Sequence, residues 1–189
     1  MLSILICSYE ESPYLKDCLF SIKNTVEVEY EVLVDVEPSR TGISNTPKRY
    51  HELFKKSKFP YIAKVDDDVW FWRYWFEEAK ELVDTDIYSY VGIMDHTFLE
   101  EKLRNYAQLP YYYHNRVKRE FTHISGVCWV FKRDLWEIAP YEDISGKYLD
   151  SAYGNYSYKK TGKRPTYTDS ILCNHMGIHR RLGKDLCRK

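Results

Sequence analysis

Three adjacent aspartates, Asp66, Asp67 and Asp68, are the residues of this chain best suited to chemistry. They directly follow an apolar run at residues 61–65, which is typical of a buried strand. If the backbone stays extended there, Asp66 and Asp68 face one side and Asp67 the other. Carboxylates at that spacing suit a hard cation such as Mg²⁺ or Mn²⁺, which would neutralise a nucleotide diphosphate. The alternative is a solvated acidic turn.

The first third of the chain alternates between predicted strands and helices. Apolar runs at residues 3–7, 30–36 and 61–65 predict strands. Between them, Ser12-Pro13 and Thr46-Pro47 each place an N-cap residue before a proline, which is typical of a helix start. This order predicts a parallel sheet with helices on its faces, and ligands bind beyond the carboxyl ends of such strands. Residues 8–11, 35–41 and 66–68 are expected there.

The rest of the chain is less regular. Helices are predicted at residues 73–83, at 134–139 and from Leu149 to a stop at Gly162, and extended segments at 87–93 and 121–131. Residues 95–120 are rich in tyrosine and lack a period, which indicates a long functional loop or a small subdomain. The tail from Asp169 onward is basic and has no clear period.

Composition narrows the function classes. The 189 residues carry 28 basic and 28 acidic side chains, so nucleic-acid binding by a large basic surface is not favoured. Five cysteines without a C-x-x-C pair predict reduced thiols in a cytoplasmic protein. No signal peptide is visible, and no apolar stretch is long enough to span a bilayer.

Several segments resemble one enzyme family. In the first half they are residues 3–9 (Ser-Ile-Leu-Ile-Cys-Ser-Tyr), 14–22, 32–35 (Val-Leu-Val-Asp) and 61–68. They are similar to the first strand and turn, first helix, second strand, and third strand with DXD motif of family 2 glycosyltransferases. In the second half, residues 125–134, 148–150 and 160–164 resemble the acceptor-side segments of that family, with Ser-Gly replacing Gly-Gly and Leu-Asp replacing Glu-Asp.

The resemblance implies a fold and a division of the chain. We expect an α/β, Rossmann-like GT-A fold, with a mostly parallel central sheet flanked by helices. Residues 1–189 would form a single domain. Its nucleotide-sugar-binding half would be residues 1–93, and its acceptor and catalytic half residues 94–189.

The resemblance also implies donor-side roles. Ser8 and Tyr9 would touch the nucleotide, and Asp35 would bond its base or ribose. Lys48 and its neighbour Arg49 open the second helix and would reach the nucleotide; the alternative is a solvated helical face.

Metal and catalytic roles come from the same resemblance. Asp68 would ligate the metal directly, Asp66 would face both ribose and metal, and Asp67 would belong to the nucleotide-sugar site. His175 stands where many GT-A enzymes place a metal ligand, with His179 as its rival. Asp150 would be the general base; the alternative is an acid that favours a helix N-terminus.

The function implied is a metal-dependent glycosyltransferase that moves a sugar from a nucleotide-sugar to an acceptor hydroxyl with inversion, using Mn²⁺ or Mg²⁺. The acceptor would be a glycan, protein, lipid or modified base. One alternative is a nucleotidyltransferase-like enzyme, although no glycine-rich phosphate loop is present. Another is a non-catalytic nucleotide- or nucleic-acid-binding module, which the basic tail favours.

Overall fold

The computed structural model describes residues 1–10, 12–38, 45–95, 124, 126–144 and 149–177. In chain order the elements are β1 (Leu2–Tyr9), α1 (Leu15–Thr25), β2 (Tyr30–Glu37), α2 (Thr46–Lys56), β3 (Tyr61–Asp66), β4 (Val69–Phe71), α3 (Trp75–Asp84), β5 (Val91–Asp95), β6 (Cys128–Lys132), α4 (Arg133–Ile138), a 3₁₀ turn (Tyr141–Asp143), α5 (Leu149–Thr161) and β7 (Thr166–His175).

The strands form one sheet in the order β2-β1-β3-β6-β5-β7-β4. Strand β1 is parallel to β2 and β3, β6 is antiparallel to β3 and β5, and β7 is parallel to β5 but antiparallel to β4. Among the described strands, β1, β2, β3, β5 and β7 therefore run in one direction, against β6 and β4. The predicted mostly parallel sheet is confirmed, and the carboxyl ends of five strands share one edge.

Both faces of the sheet are covered. Along β6, Cys128 and Val130 join one buried cluster while Trp129 and Phe131 join the other. Such strands read as continuous apolar runs because neither face meets water. The second cluster is aromatic: Tyr153 stacks on Trp129 with centroids 5.2 Å apart. Several of the 18 tyrosines of the chain therefore lie in the core.

Several predicted boundaries were wrong. Helix α1 begins at Leu15 after Tyr14, not at Pro13, and neither Tyr14 nor Asn45, which precedes α2, caps its helix through a side chain. The predicted strand at 87–93 begins only at Val91.

Two strands were missed. Within the tail predicted to be irregular, residues 169–175 instead complete β7, because backbone pairing with β5 and β4 on either side outweighs their weak apolar pattern. The short strand β4 was not predicted either. The segment at 121–131 contributes β6 from Cys128 onward, whereas residues 96–123 and 125 lie outside the described residues.

Gly92 in β5 tests how tightly this core is packed. A Cβ there would lie 2.5 Å from Ile124 Cδ1 and 3.0 Å from Tyr167 Cε1, and both residues are buried. We expect Gly92→Ala to lower the free energy of unfolding by about 1–3 kcal/mol through overpacking. Urea denaturation checks this, with Lys159→Ala at an exposed position of α5 as a control expected to change stability by less than about 0.5 kcal/mol. Equal midpoints for the two variants would contradict the packing described.

Candidate active site

Polar residues collect where the parallel strands end. At the shared carboxyl edge lie Ser8 of β1, Asp35 of β2, Asp66 of β3, Asp95 of β5 and His175 of β7. Cys7 is in register with both Asp35 and Asp66, so β1, β2 and β3 deliver their polar ends side by side. The structure therefore brings together residues that the chain separates widely. The alternation of strands and helices predicted this for Ser8, Asp35 and Asp66, but not for Asp95 or His175.

Each carboxylate of the triplet contacts a different partner. Asp66 Oδ1 accepts a hydrogen bond from Lys64 Nζ at 2.7 Å, and Asp67 Oδ2 accepts one from Ser8 Oγ at 2.6 Å. Asp68 Oδ2 lies 3.0 Å from His175 Nε2. The simple strand alternation expected for the triplet was wrong, because β3 ends at Asp66 and the chain turns through the next two residues.

The contact of Asp68 with His175 follows from strand pairing. Strand β4 is antiparallel to β7 with Val69 opposite His175, and Met176 N donates to Asp68 O at 2.8 Å. The buried carboxylate of Asp95 accepts a hydrogen bond from His175 N at 3.2 Å. These two hydrogen bonds fix the backbone at His175, and its side chain is only 18% exposed.

The Asp68–His175 pair fits a divalent cation. Cis ligands of an octahedral ion at about 2.1 Å lie about 3 Å apart, which is the separation of Asp68 Oδ2 and His175 Nε2. His175 Nδ1 is buried without a partner among the described residues, so this imidazole lacks a complete set of protein hydrogen bonds. No cluster of three or more ligand-type side chains occurs in the described part of the chain. A two-residue site leaves coordination positions for phosphate and water, as is common for Mg²⁺.

Electrostatics at the triplet also favour a cation. Burial raises the pKa of Asp66, and although Lys64 opposes this, the Asp68 carboxylate adds to it. Burial would lower the pKa of His175, but its hydrogen bond with Asp68 and the charges of Asp68, Asp66 and Asp95 outweigh burial and raise it. A dication would relieve the repulsion and displace the proton from His175.

At the end of this edge formed by β1 and β2, Arg49 contacts residues of both strands. Its guanidinium donates to Asp35 Oδ2 at 2.5 Å and to the carbonyl of Ser8 at 2.8 Å, and it lies 3.2 Å from Glu37 Oε1. Lys48, the residue singled out from the sequence, is exposed on α2. Tyr9 is half-buried at the end of β1.

Asp150 lies at the start of α5, and its Oδ2 accepts a hydrogen bond from Gly126 N at 2.8 Å. A Cβ at position 126 would lie 2.5 Å from Asp150 Oδ1, so a larger residue there would displace this carboxylate. The neighbouring acids are engaged elsewhere: Glu142 Oε1 lies 2.9 Å from His51 Nε2, and Asp143 accepts a hydrogen bond from Tyr156. His179 lies outside the described residues.

Lys64 is the residue of this site that the sequence analysis missed. A lysine inside an apolar strand, two residues before an aspartate and hence on the same face, is the signal that could have found it. Of the aromatic residues that follow the triplet, Phe71 is in the core and Trp72 is exposed.

Solved structures share this arrangement of strands. The mannosyltransferase PcManGT from Pyrobaculum calidifontis, in complex with GDP-Man and Mn²⁺, matches with a TM-score of 0.67 at 13% identity, over 93% of this chain and 56% of that one. TarS from S. aureus matches with a TM-score of 0.64 at 13% identity, over 93% of this chain and 36% of TarS. Residues 1–349 of TarS in complex with UDP-GlcNAc match with a TM-score of 0.61 at 14% identity, over 93% and 60%.

The fold is that of the GT-A glycosyltransferases. This chain spans between about a third and three fifths of the lengths of the three chains it is compared with. No protein-family model and no characterised protein sequence matches it. Within its described residues, the GT-A chain has no helix that is both long and apolar enough to cross a membrane.

The Asp68–His175 contact predicts a pH dependence of metal-free stability. Because the pKa of His175 is raised in the folded protein, the folded state binds the proton more tightly than the unfolded state. The stabilisation is complete below the ordinary histidine pKa of about 6.5 and is lost as pH rises through the raised value. We expect the loss of unfolding free energy in His175→Gln to be larger at acidic than at alkaline pH, measured by denaturation in EDTA.

The control for this prediction is the same substitution in an Asp68→Asn background, where most of the pH dependence should disappear. A stability difference that grows as pH rises would contradict the assignment.

Proposed function

We propose that this protein is a metal-dependent glycosyltransferase of family 2 type that transfers a sugar from a nucleotide-sugar to an acceptor hydroxyl. The observation that carries the proposal is the pair of Asp68 and His175, which come from distant parts of the chain and stand 3.0 Å apart at the carboxyl edge of a GT-A sheet. The solved neighbours support it, since one holds GDP-Man with Mn²⁺ and another UDP-GlcNAc.

The proposed metal ligands are Asp68 and His175, with Asp66 facing the ion and the ribose. Mn²⁺ or Mg²⁺ bound there would stabilise the charge that develops on the leaving nucleotide diphosphate. Asp67 is fixed by Ser8 and belongs to the wall of the same nucleotide-sugar site. With two ligands supplied by the protein, such a cation would have coordination positions open to the diphosphate.

The nucleoside end of the donor is proposed to lie over β1 and β2. Asp35 bonds the base or ribose there, held by Arg49, while Ser8 and Tyr9 line the strand end. Lys48 faces solvent at this end of α2 and is proposed to reach the phosphates or base as a mobile cation. The residues proposed for the nucleoside end all lie within residues 1–93, the proposed nucleotide-sugar-binding half.

The proposed reaction is a single displacement with inversion. Asp150 removes the proton from the acceptor hydroxyl as that oxygen attacks the anomeric carbon, and the bond to the nucleotide diphosphate breaks. The hydrogen bond from Gly126 N orients the carboxylate of Asp150. The protein's main contribution is to hold donor and acceptor in line.

The acceptor is proposed to be a glycan, protein, lipid or modified base, with a cytoplasmic location. A nucleotidyltransferase would share the metal and nucleotide, but no observation in the site favours it. For a nucleic-acid partner, the supporting feature is the basic sequence of the tail from position 180.

Asp68→Asn tests the metal site. The amide keeps the shape but removes the charge that binds the cation, so we expect nucleotide diphosphate affinity in the presence of Mn²⁺ to fall more than about tenfold, or about 1.4 kcal/mol. Calorimetry with UDP and GDP measures this. The matched control is Asp17→Asn on the exposed face of α1, which should bind as wild type does. Unchanged affinity in the Asp68 variant would remove the metal from the mechanism.

Asp150→Asn tests the base. Asparagine still accepts the hydrogen bond from Gly126 N, so stability and donor affinity should persist. Sugar transfer should fall by roughly 10²–10⁴-fold, the usual contribution of a general base. Product formation is followed by mass spectrometry, with Glu142→Gln and Asp143→Asn as controls.

Two results would count against this role of Asp150. Loss of donor binding in its variant would place Asp150 in the nucleotide site. Loss of transfer in either control, with the Asp150 variant active, would move the base to that acid.

A further inference from the structure

Lys64 carries a buried charge between the two halves of the site. It lies inside β3, and its side chain is only 4% exposed. Lysine is almost never fully buried unless it is paired. Its ammonium donates to Asp66 Oδ1 at 2.7 Å and to the carbonyl of Gly126.

Two aromatic faces complete the surroundings of the ammonium. Lys64 Nζ lies 5.0 Å from the ring centroid of Tyr50 and 5.1 Å from that of Trp129, within the range of cation–π attraction. Burial opposes the charge, but the Asp66 and Asp150 carboxylates outweigh it and raise the pKa of Lys64. The group is therefore a cation held by its environment.

Gly126 extends this contact to Asp150. Its carbonyl accepts from Lys64, while its N–H donates to Asp150 Oδ2 at 2.8 Å. Lys64 thus touches one acid of the triplet directly and reaches the acid at the start of α5 through a single residue. These two acids come from the two halves of the chain, at positions 66 and 150.

We propose that Lys64 is a positioning residue that fixes Asp66 and, through Gly126, Asp150, and that its positive charge sets the balance of the site between metal cation and nucleotide diphosphate. This inference rests on the proposed function. It adds a residue that never touches substrate, yet decides how much negative charge the triplet presents.

Removal of the Lys64 charge should change the affinities for the cation and for the nucleotide diphosphate in opposite directions. Without Lys64, Asp66 loses its ammonium partner and the site loses one fixed positive charge. A cation is then attracted more strongly and an anionic diphosphate less strongly. A lysine that only supported the fold would, on removal, weaken both ligands together.

The experiment compares Lys64→Met with wild type by calorimetry, using MnCl₂ alone and then UDP or GDP at saturating Mn²⁺. Methionine keeps the unbranched shape and removes the charge. We expect the Kd for Mn²⁺ to fall at least about threefold and the Kd for the nucleotide to rise at least about threefold. The matched control is Lys80→Met, which removes an ion-paired but more exposed lysine and should change neither Kd.

A folded Lys64→Met protein that binds both ligands more weakly, or both as wild type does, would overturn the inference. If this variant does not fold, Asp66→Asn is compared with the double variant Lys64→Met/Asp66→Asn, where the Lys64 charge is the only electrostatic difference. The double variant should bind Mn²⁺ more tightly than Asp66→Asn, because the lone ammonium no longer repels the ion. Equal Kd values would overturn the inference.

Wild-type binding separates this inference from the proposed function. Wild-type protein that binds neither Mn²⁺ nor a nucleotide diphosphate would overturn both. Wild-type protein that binds both, with no opposite shifts in the variants, would overturn the role of Lys64 alone and leave the glycosyltransferase proposal standing.

Discussion

The antiparallel pairing of β4 with β7 is the constraint on which this site depends. It places Val69 opposite His175 and thereby brings His175 to the aspartate that precedes Val69. Strand β7 is in turn held by parallel pairing with β5, whose last residue, Asp95, bonds the backbone of His175. Strand pairing, supported by the Asp95 side chain, thus makes neighbours of two sites that lie more than a hundred residues apart in the chain.

Crowding acids at one edge of a sheet is costly unless each has a partner. Here the partners come from different elements: Lys64 for Asp66, Ser8 for Asp67, His175 for Asp68 and Arg49 for Asp35. The partners are not equivalent. Lys64 and Arg49 bring permanent charges, whereas Ser8 brings a neutral hydroxyl and His175 an imidazole that is itself a proposed metal ligand. The proposed function assigns Asp68 and Asp66 to the cation, and Asp67 and Asp35 to the nucleotide-sugar.

The sequence predicted the first half of the molecule better than the second, for a physical reason. The strands β1, β2 and β3 are continuous apolar runs, and the alternation of strands with helices places Asp35 and Asp66 at one edge without further information. Strand β7 has a mixed pattern that only pairing with two neighbours makes extended, so the environment of His175 could not be derived from spacing. Lys64 was not predicted as a site residue because it is not adjacent to the triplet in sequence. In a strand, however, the neighbour on the same face is two residues away.

The central claim is that Asp68 and His175 bind the same divalent cation. Its most direct test is anomalous X-ray scattering at the manganese edge, from crystals of the protein grown with MnCl₂ and UDP or GDP. The account predicts one strong peak within about 2.0–2.3 Å of both Asp68 Oδ2 and His175 Nε2, with the diphosphate oxygens on its open side. A peak that contacts neither residue, or bound nucleotide without any peak at this edge of the sheet, would contradict it.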